Sequence, residues 1–264
     1  MVFLYSFVDI VKIPIAGRTK KPRESGLTMV IDKGLGLRQT QDLVEIAGDH
    51  IDIVKLAFGT SRLCPEEVVK KKIEVYKAQN IYVMPGGTFL EVVVAQGVLD
   101  KFLLRMKEYG FNAIEVSDGT IPMDDVTRAN VLKAARDHGF KIIAEVGSKF
   151  KESDLSAEEF VRGIKRDLKL GAWKVIIEAR EAGKGVGIYD EKGEIVKEKF
   201  EKVISGVFSI DDVIFEAPEK KQQTELILKF GPNVNLGNVQ PADIVALEAL
   251  RIGLRADTLK GIYK

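Results

Sequence analysis

The chain of 264 residues is 45% hydrophobic and 30% charged, with 40 basic side chains against 39 acidic ones. This length fits two ordinary domains or one large α/β barrel, and the balanced charge argues against general attraction to nucleic acid or anionic membranes. Because Cys64 is the one cysteine, an internal disulfide framework is excluded and a reducing compartment, hence a cytoplasmic location, is expected.

The first stretch, MVFLYSFVDIVKIP, is apolar, but Asp9 and Lys12 interrupt it and no basic residue precedes it. A secretory signal would have a basic front and an uninterrupted apolar centre, and no stretch approaches the ~18 to 20 apolar residues of a membrane span. The segment that follows, GRTKKPRESG, has the composition of a basic, turn-rich connector. We predict that residues 1–25 form a short arm and connector packed on the body, with a membrane-associated segment as the alternative.

From Gly26 onward, eight short apolar runs alternate with longer amphipathic segments. Near-continuous apolarity predicts strands of a parallel sheet that is covered on both faces. The longer segments have helical periodicity, and Ser156 followed by Glu159 makes a capping-box pattern. The apolar runs are LTMVID (27–32), IDIVKLAF (51–58), IYVMPGG (81–87), AIEVSDG (113–119), KIIAEVGSK (141–149), KVIIEAR (174–180), DVIFEAP (212–218) and NVNLGNV (233–239).

This alternation predicts one (β/α)8 TIM barrel spanning residues 1–264 as a single domain. A doubly wound open sheet is the alternative, but the first strand-to-helix turn, DKGLGLRQT, lacks the G-x-G-x-x-G phosphate fingerprint. The longest insertion, AGKGVGIYDEKGEIVKEKFEKVI, contains DEKG, which predicts a small hairpin turn.

Charged or amide residues stand at the carboxyl end of nearly every predicted strand, where such barrels place their active site. Buried charges there must neutralise each other, hold a metal or bind a charged ligand. Carboxylates suit a hard cation such as Mg²⁺, whereas lysine, arginine and amide groups suit a small anionic substrate. The set comprises Asp32, Lys33, Lys55, Glu115, Asp118, Glu145, Lys149, Glu178, Arg180, Glu181, Glu216, Asn235 and Asn238.

Several of these residues also have a purely structural interpretation. Lys55 could be the Schiff-base lysine of an aldolase, as could Lys174, but an ion pair between Lys55 and Glu115 is at least as good an explanation. Gly86-Gly87 allows close backbone approach to a ligand or simply makes a tight turn. The run Lys70-Lys71-Lys72 is interpreted as a solvated helix face.

The stretches around the predicted strand ends are more distinctive than generic barrel sequence. They are KPRESGLTMVIDKGLG, IDIVKLAFGTS, PGGT, IEVSDGTIPM, AEVGSK, VIIEAREAG, IFEAP, QQ, GPNVNLGNV and LEALRIGLRADT. In this order they resemble the phosphosulfolactate synthase family, from about Lys21 to Thr258. Two positions depart from the family pattern, which bears on the identity of the substrate: Phe58 stands where tryptophan is common, and Ala182 where serine is common.

The resemblance implies a Mg²⁺-dependent barrel enzyme that adds sulfite to phosphoenolpyruvate, giving (2R)-phospho-3-sulfolactate in one route to coenzyme M. It implies a carbon–sulfur lyase acting in the synthetic direction, with these small molecules as partners and neither nucleic acid nor membrane. We also expect a homo-oligomer. Because the family includes plant heat-stress-associated proteins, a non-catalytic barrel of the same family is the alternative, beside the lysine-dependent aldolase.

The resemblance matches Lys149, at the end of AEVGSK, to the position we assign as the general acid. We expect cationic neighbours to lower its pKa, with an ion pair to Glu145 or Glu178 as the structural alternative. Glu145 is the second predicted catalytic residue. The predicted metal ligands are Asp32, Glu115, Glu145 and Glu178.

Six residues are predicted to bind the anionic groups of the substrates. Phosphate commonly binds near the loops after the seventh and eighth strands of such barrels, which favours the two asparagines. The residues are Lys33, Lys55, Arg180, Asn235, Asn238 and, on the last helix, Arg255.

Overall fold

Eight parallel strands form the centre of the structure, a computed structural model that describes residues 6–150, 152, 154–260 and 262. Each coincides with one of the predicted apolar runs. The strands are β1 (Thr28–Asp32), β2 (Ile53–Leu56), β3 (Tyr82–Pro85), β4 (Ala113–Val116), β5 (Lys141–Val146), β6 (Lys174–Ile177), β7 (Val213–Glu216) and β8 (Leu236–Val239).

The strands are neighbours in the order β3-β2-β1-β8-β7-β6-β5-β4, so strands adjacent in sequence are adjacent in space. At the two ends of this order, β3 and β4 lie side by side. The side chain of Asn112 joins them: its Oδ1 accepts from Val83 N at 2.7 Å and its Nδ2 donates to Ile81 O at 3.3 Å. This nearly closed circle confirms the predicted (β/α)8 barrel and excludes the open doubly wound sheet.

Helices surround the barrel and follow the predicted alternation. The Ser156 capping box is confirmed, since its hydroxyl accepts from Glu159 N and the Glu159 carboxylate accepts from Ser156 N. The helices are α1 (Leu37–Ala47), α2 (Thr60–Leu63), α3 (Glu66–Lys77), α4 (Gly87–Ala95), α5 (Leu99–Tyr109), α6 (Asp125–Asp137), α7 (Ala157–Lys169), α8 (Lys197–Gly206), α9 (Lys220–Phe230), α10 (Ile244–Arg251) and α11 (Ala256–Leu259), with short 3-10 turns at Gly48–His50, Ile210–Asp212 and Pro241–Asp243.

Two apolar layers explain why the strands are apolar on both faces. Inside the barrel, eight buried side chains form one cluster, and a larger cluster fills the space between the strands and the helices. The inner cluster lies toward the amino ends of the strands, so the carboxyl ends are left to polar side chains. It consists of Leu27, Met29, Ile53, Met84, Ala113, Ile143, Ile176 and Ile214.

The connector crosses the amino end of the barrel. Arg18 Nε lies 2.9 Å from Glu248 Oε1 on α10, and Arg23 Nε lies 2.9 Å from Asp52 Oδ1 beside β2. The arm before it was expected to pack on the body, but Phe7 and Ile10 are largely exposed and packing begins near Ile15, whose amide donates to Ile252 O. Residues 1–5 of the predicted arm lie outside the described residues.

Two further sequence expectations concern the insertion and the membrane. The DEKG hairpin is confirmed by an antiparallel bridge between Tyr189 and Ile195 and by the bond from Gly193 N to Asp190 O.

Within the described part of the chain, no helix combines the length and the apolar composition that a membrane crossing requires.

Candidate functional site

A cavity of about 620 Å³ opens at the carboxyl ends of the strands, as the barrel fold predicts. Charged side chains lie in its buried part, and apolar side chains, among them Phe58, Leu63 and Phe150, stand more exposed at its mouth. The charged and amide residues that line it are Lys55, Arg62, Glu115, Glu145, Lys149, Glu178, Arg180, Glu181, Glu216 and Asn238.

Lys55, projecting from β2, is the centre of the first group of buried charges. Its Nζ lies 3.0 Å from Glu115 Oε2, 3.0 Å from Glu216 Oε1 and 3.5 Å from Glu145 Oε2. Burial by itself lowers the pKa of Lys55, but the three carboxylates outweigh it and hold the pKa well above its ordinary value. A Schiff-base lysine must be neutral to attack a carbonyl, so the ion-pair interpretation of Lys55 is favoured over the aldolase.

The other aldolase candidate, Lys174, is at the wrong end of the barrel. It is the first residue of β6, and its ammonium lies over the ring of Trp173 at 5.4 Å. Lys174 is not among the lining residues of the cavity. The structure therefore gives no support to a lysine-dependent aldolase.

Lys149 is the centre of the second group, at the end of the loop that follows β5. Its Nζ lies 2.6 Å from Glu145 Oε1 and 2.7 Å from Glu178 Oε2. Burial lowers the pKa of Lys149, but these two carboxylates outweigh it and raise the pKa above the ordinary value. The expectation that cationic neighbours lower this pKa is wrong, because the nearest charges are carboxylates.

Together these residues form a cluster in which four carboxylates, Glu115, Glu145, Glu178 and Glu216, face the two ammonium groups. With all six groups ionised, the buried set has a formal charge of minus two. Burial and the neighbouring carboxylates Glu145 and Glu216 raise the pKa of Glu178 well above its usual range. Burial also raises the pKa of Glu115 to about 7, so four ionised carboxylates are not stable beside two lysines alone, and either protons on Glu178 and Glu115 or a further cation must offset the excess.

Three of these carboxylates are arranged to share a cation. Oxygen atoms of Glu145, Glu178 and Glu216 all lie within 4.8 Å of one another. An all-oxygen set with excess negative charge fits a hard divalent cation such as Mg²⁺. Glu216 thus joins Glu145 and Glu178 as a candidate ligand, although the predicted ligand set did not include it, while Glu115 is bonded to Lys55 and to Gly87 N.

Asp32 does not lie in this cluster. Its Oδ2 is 2.7 Å from Lys72 Nζ and accepts from the Tyr76 hydroxyl at 3.0 Å, while Oδ1 accepts from the amides of Gly34 and Leu35. Alternate residues of a strand point to opposite faces: Ile31 lines the cavity and Asp32 faces the helices. The structure therefore leaves Asp32 out of the candidate metal set and, since Lys72 is buried, corrects the solvated-face interpretation of that lysine.

The predicted anion-binding residues do not all lie together. Arg180 and Asn238 line the cavity, and Lys33 lies at its rim, paired with Glu181 at 2.6 Å. Asn235 lies at the amino end of β8, where its Oδ1 accepts from Leu27 N at 2.9 Å.

Arg255 begins α11 and its Nε is 3.7 Å from Asp257 Oδ2. Neither Asn235 nor Arg255 is among the lining residues of the cavity. The structure thus brings only Arg180, Asn238 and, at the rim, Lys33 to the mouth; Lys55 lies deeper, in the carboxylate cluster.

Sequence reasoning missed Arg62, in the short helix after β2, which lines the cavity. The sequence feature that could have indicated Arg62 is a basic residue in the segment GTSR, shortly after a predicted strand end. Of the two family departures, Phe58 lines the cavity with a positive φ of 54°, whereas Ala182 is not among its lining residues. Because bulky residues rarely adopt such a φ, the strained Phe58 is held at the mouth by its surroundings.

Glu91, also missed, holds the loop that follows β4. Its buried carboxylate accepts from the Ser117 hydroxyl at 2.5 Å and from the amides of Thr120 and Ile121 at 3.0 and 2.7 Å. In the same loop, Gly119 O accepts from Lys149 N at 3.1 Å. A glutamate inside the apolar helix sequence FLEVVVA was the available signal.

Gly87 shows how tightly this loop is packed. A Cβ at this position would lie 2.3 Å from Ser117 Oγ, and its amide donates to Glu115 Oε1 at 2.8 Å. Close packing against Ser117 and Glu115 therefore explains Gly87, and the approach of its backbone to a ligand stays a prediction. Asp118, the other acidic residue of the loop, faces away from the cavity toward Arg128, at 3.0 Å.

We expect Glu91→Met to loosen this loop, because it leaves the Thr120 and Ile121 amides without their acceptor. An unsatisfied buried group costs about 1–3 kcal/mol, so amide hydrogen exchange at Thr120 and Ile121 should quicken about fivefold to 150-fold. Glu67→Met, on the exposed face of α3, is the matched control. Unchanged exchange at both amides would show that Glu91 does not hold the loop.

Comparison with known proteins gives consistent matches over most of the chain. A family model described as (2R)-phospho-3-sulfolactate synthase (ComA) matches residues 16–257. The phosphosulfolactate synthase of Methanocaldococcus jannaschii is 44% identical over 237 residues, which cover 89% of this chain and 94% of that protein. The phosphosulfolactate synthase of Methanothermobacter thermautotrophicus is 40% identical over 244 residues, 92% of this chain and 94% of that protein.

Among solved structures, a crystal structure of 3-hexulose-6-phosphate synthase superimposes with a TM-score of 0.54. It covers 85% of this chain and 98% of its own, at 15% sequence identity. At this identity the likeness concerns the fold alone.

Proposed function

The chain belongs to the (2R)-phospho-3-sulfolactate synthase family, and from this premise we propose that it catalyses the Mg²⁺-dependent addition of sulfite to phosphoenolpyruvate. The observation that carries the proposal is the buried cluster in which four carboxylates outnumber two lysines at the carboxyl ends of the strands. Such a site favours a divalent cation together with an anionic substrate.

Glu145, Glu178 and Glu216 are the residues that would hold Mg²⁺, since their oxygen atoms converge. When bound, the cation supplies positive charge that stabilises the enolate-like charge developing at the carboxylate end of phosphoenolpyruvate. Lys55 keeps the carboxylates in place through its contacts with Glu115 and Glu216.

The unpaired cations at the mouth bind the anionic groups of the substrates. Arg62 and Arg180 both line the cavity, and no ion pair of either guanidinium group is found among the described residues. Asn238 lies beside them: its Nδ2 is 3.4 Å from Arg180 O, and its Oδ1 is buried without a hydrogen-bond partner within the described chain. These groups suit the phosphate of phosphoenolpyruvate and the incoming sulfite.

In the reaction, the sulfur lone pair of sulfite attacks the methylene carbon of phosphoenolpyruvate and a carbon–sulfur bond forms. The electron pair of the carbon–carbon double bond moves toward the carboxylate, and Lys149 donates a proton to the carbon that bears the phosphate-linked oxygen. The product is (2R)-phospho-3-sulfolactate, with the phosphate ester intact. The carboxylate neighbours of Lys149 keep it protonated, so a proton is available, although the same raised pKa makes Lys149 a weaker acid than a group that titrates near neutral pH.

The wider expectations follow from the same assignment. The enzyme is a carbon–sulfur lyase acting in the synthetic direction, in the first step of a route to coenzyme M. We propose a cytoplasmic homo-oligomer for which phosphoenolpyruvate and sulfite are the small-molecule partners.

The test is product formation, followed by ³¹P NMR and mass spectrometry, with phosphoenolpyruvate, sulfite or Mg²⁺ omitted in turn. We expect product only with all three, and loss of turnover with a chelator that added Mg²⁺ restores. No product in the complete mixture would favour the non-catalytic stress-associated barrel. Borohydride trapping of a keto substrate on Lys55 would instead restore the aldolase alternative.

A further inference from the structure

A second cavity, of about 430 Å³, lies outside the barrel wall between α2, the start of α3, α4 and α5; we call it the side cavity. Its apolar walls are aromatic: Phe89, Phe102, Tyr109 and Phe111 all line it. The rings of Phe89 and Phe102 meet edge to face, 5.4 Å apart. Apolar pockets of this size, with a few convergent polar groups, are typical of small-molecule sites.

Two polar groups that line the side cavity lack internal partners. Ser61 Oγ has no hydrogen-bond partner within the described chain, but the atom is buried and has almost no accessible surface. Buried polar atoms are nearly always bonded, so Ser61 is a secondary contact that a ligand gains only if this side chain turns toward the cavity. Arg62 lines the side cavity as well, and its guanidinium group has no ion pair among the residues that the structure describes.

The remaining charges leave the side cavity positive. Arg105 forms an ion pair with the exposed Glu108 at 2.6 Å and lies over the Tyr109 ring at 5.9 Å. Glu66, which also lines the cavity, is already bonded to Lys70 at 2.5 Å and to the Tyr109 hydroxyl at 2.9 Å. Arg62 is therefore available to an anionic group, and Arg105 can add a second contact because its ion pair with Glu108 is exposed to solvent.

We propose that the side cavity binds a small aromatic anion, an aryl phosphate or aryl carboxylate. Its ring packs against Phe89 and Phe102, since offset and edge-to-face aromatic contacts are favourable. Its acidic group reaches Arg62 and Arg105. Because Arg62 and Phe89 also line the main cavity, such a ligand touches the wall between the two cavities.

The chain has a built-in reporter for this site. Cys64, its one cysteine, lines the side cavity and is partly accessible. Alkylation of Cys64 by the neutral reagent iodoacetamide, followed by mass spectrometry, should slow about tenfold when phenyl phosphate is present at ten times its dissociation constant. Inorganic phosphate and benzyl alcohol, which each supply half of the recognition, should protect much less.

A variant distinguishes the side cavity from the main one. Arg105→Met should weaken phenyl phosphate binding about tenfold, because a contact to a charged group is lost. Arg162→Met on α7 is the matched control, since Arg162 is likewise exposed and lies near an acidic residue three positions away, Glu159. Binding is measured by calorimetry, and protection of Cys64 in parallel.

Three results would overturn the proposal. The first is an alkylation rate that phenyl phosphate at millimolar concentrations leaves unchanged. The second is equal protection of Cys64 by inorganic phosphate and by phenyl phosphate. The third is equal affinity of Arg105→Met and Arg162→Met for phenyl phosphate. None of these readouts depends on turnover. The proposed ligand site can therefore be wrong while the proposed reaction is correct, and the proposed reaction can be wrong while the ligand site is correct.

Discussion

Lys149→Ala should lower kcat for the addition of sulfite to phosphoenolpyruvate about 10²- to 10⁴-fold, the usual loss when a general acid is removed. Since a proton donor acts in the transition state, kcat and kcat/KM should fall together. Binding of phosphoenolpyruvate with Mg²⁺, measured by calorimetry, should change little. A raised KM with nearly unchanged kcat would instead mean that Lys149 binds phosphate in the ground state.

The contacts of Lys149 require a second variant, because its ammonium also balances Glu145 and Glu178 at 2.6 and 2.7 Å. Lys149→Arg keeps the positive charge but is effectively unable to release a proton, since the pKa of arginine is above about 12. If the acid role is correct, Lys149→Arg should be about as inactive as Lys149→Ala. Recovery of turnover in Lys149→Arg would show that only the charge is needed.

The largest loss of stability is expected for Arg128→Met, because Arg128 is fully buried between α6 and the barrel. Its Nε and Nη2 donate to both oxygens of Asp167 at 3.0 and 2.6 Å, and Nη2 also reaches Val116 O and Glu145 O. Removing one partner of a buried ion pair costs about 3–5 kcal/mol. Urea unfolding should show a loss of this size.

The matched control for Arg128→Met is Arg136→Met, an exposed arginine on the same helix. It should change the free energy of unfolding by less than about 0.5 kcal/mol. The double variant Arg128→Met, Asp167→Leu should recover part of the loss, since the buried Asp167 carboxylate is then no longer left unpaired, while Asp118 still loses Arg128. If Arg128→Met lowers the free energy of unfolding by less than about 1 kcal/mol, this account is contradicted, because a substitution that breaks no buried ion pair typically costs that much.

The fold was predictable because its signal is repetitive. Each strand is an apolar run of a length that suits a strand, and each is followed by a segment of helical periodicity, so an error in one element does not change the architecture. The strand-end rule then located Lys55, Glu115, Glu145 and Glu178 in one cavity at the carboxyl ends of the strands. This rule depends only on the strands being parallel, since their carboxyl ends then lie at the same end of the barrel. The alternation of strands with helices is enough to predict that.

The rule failed where the direction of a side chain, not its place along the strand, decides the contact. LTMVID is apolar on both faces, so nothing in it shows that Ile31 faces inward and Asp32 outward. Asn235 failed for a related reason: the run NVNLGNV predicts a strand, but β8 begins only at Leu236. Lys149 lines the cavity as expected, but the sign of its pKa shift depends on Glu145 in β5 and on Glu178 just after β6.

Glu91 and Arg62 show a second limit. Glu91 lies within a helix, and its bonds to Ser117, Thr120 and Ile121 are tertiary contacts that no local pattern encodes. Arg62 lies in the short helix α2, beyond the end of β2. Sequence reasoning organised around strands passes over such residues, although both shape the cavity or its loop.

The connector across the amino end of the barrel has a consequence for the order of events during synthesis. Arg18 is bonded to Glu248, 230 positions later in the chain, so it leaves the ribosome long before its partner exists. At typical rates of ~5–20 residues per second, this delay is on the order of ten to fifty seconds. The connector therefore takes its native place only in a late step, after α10 has been made.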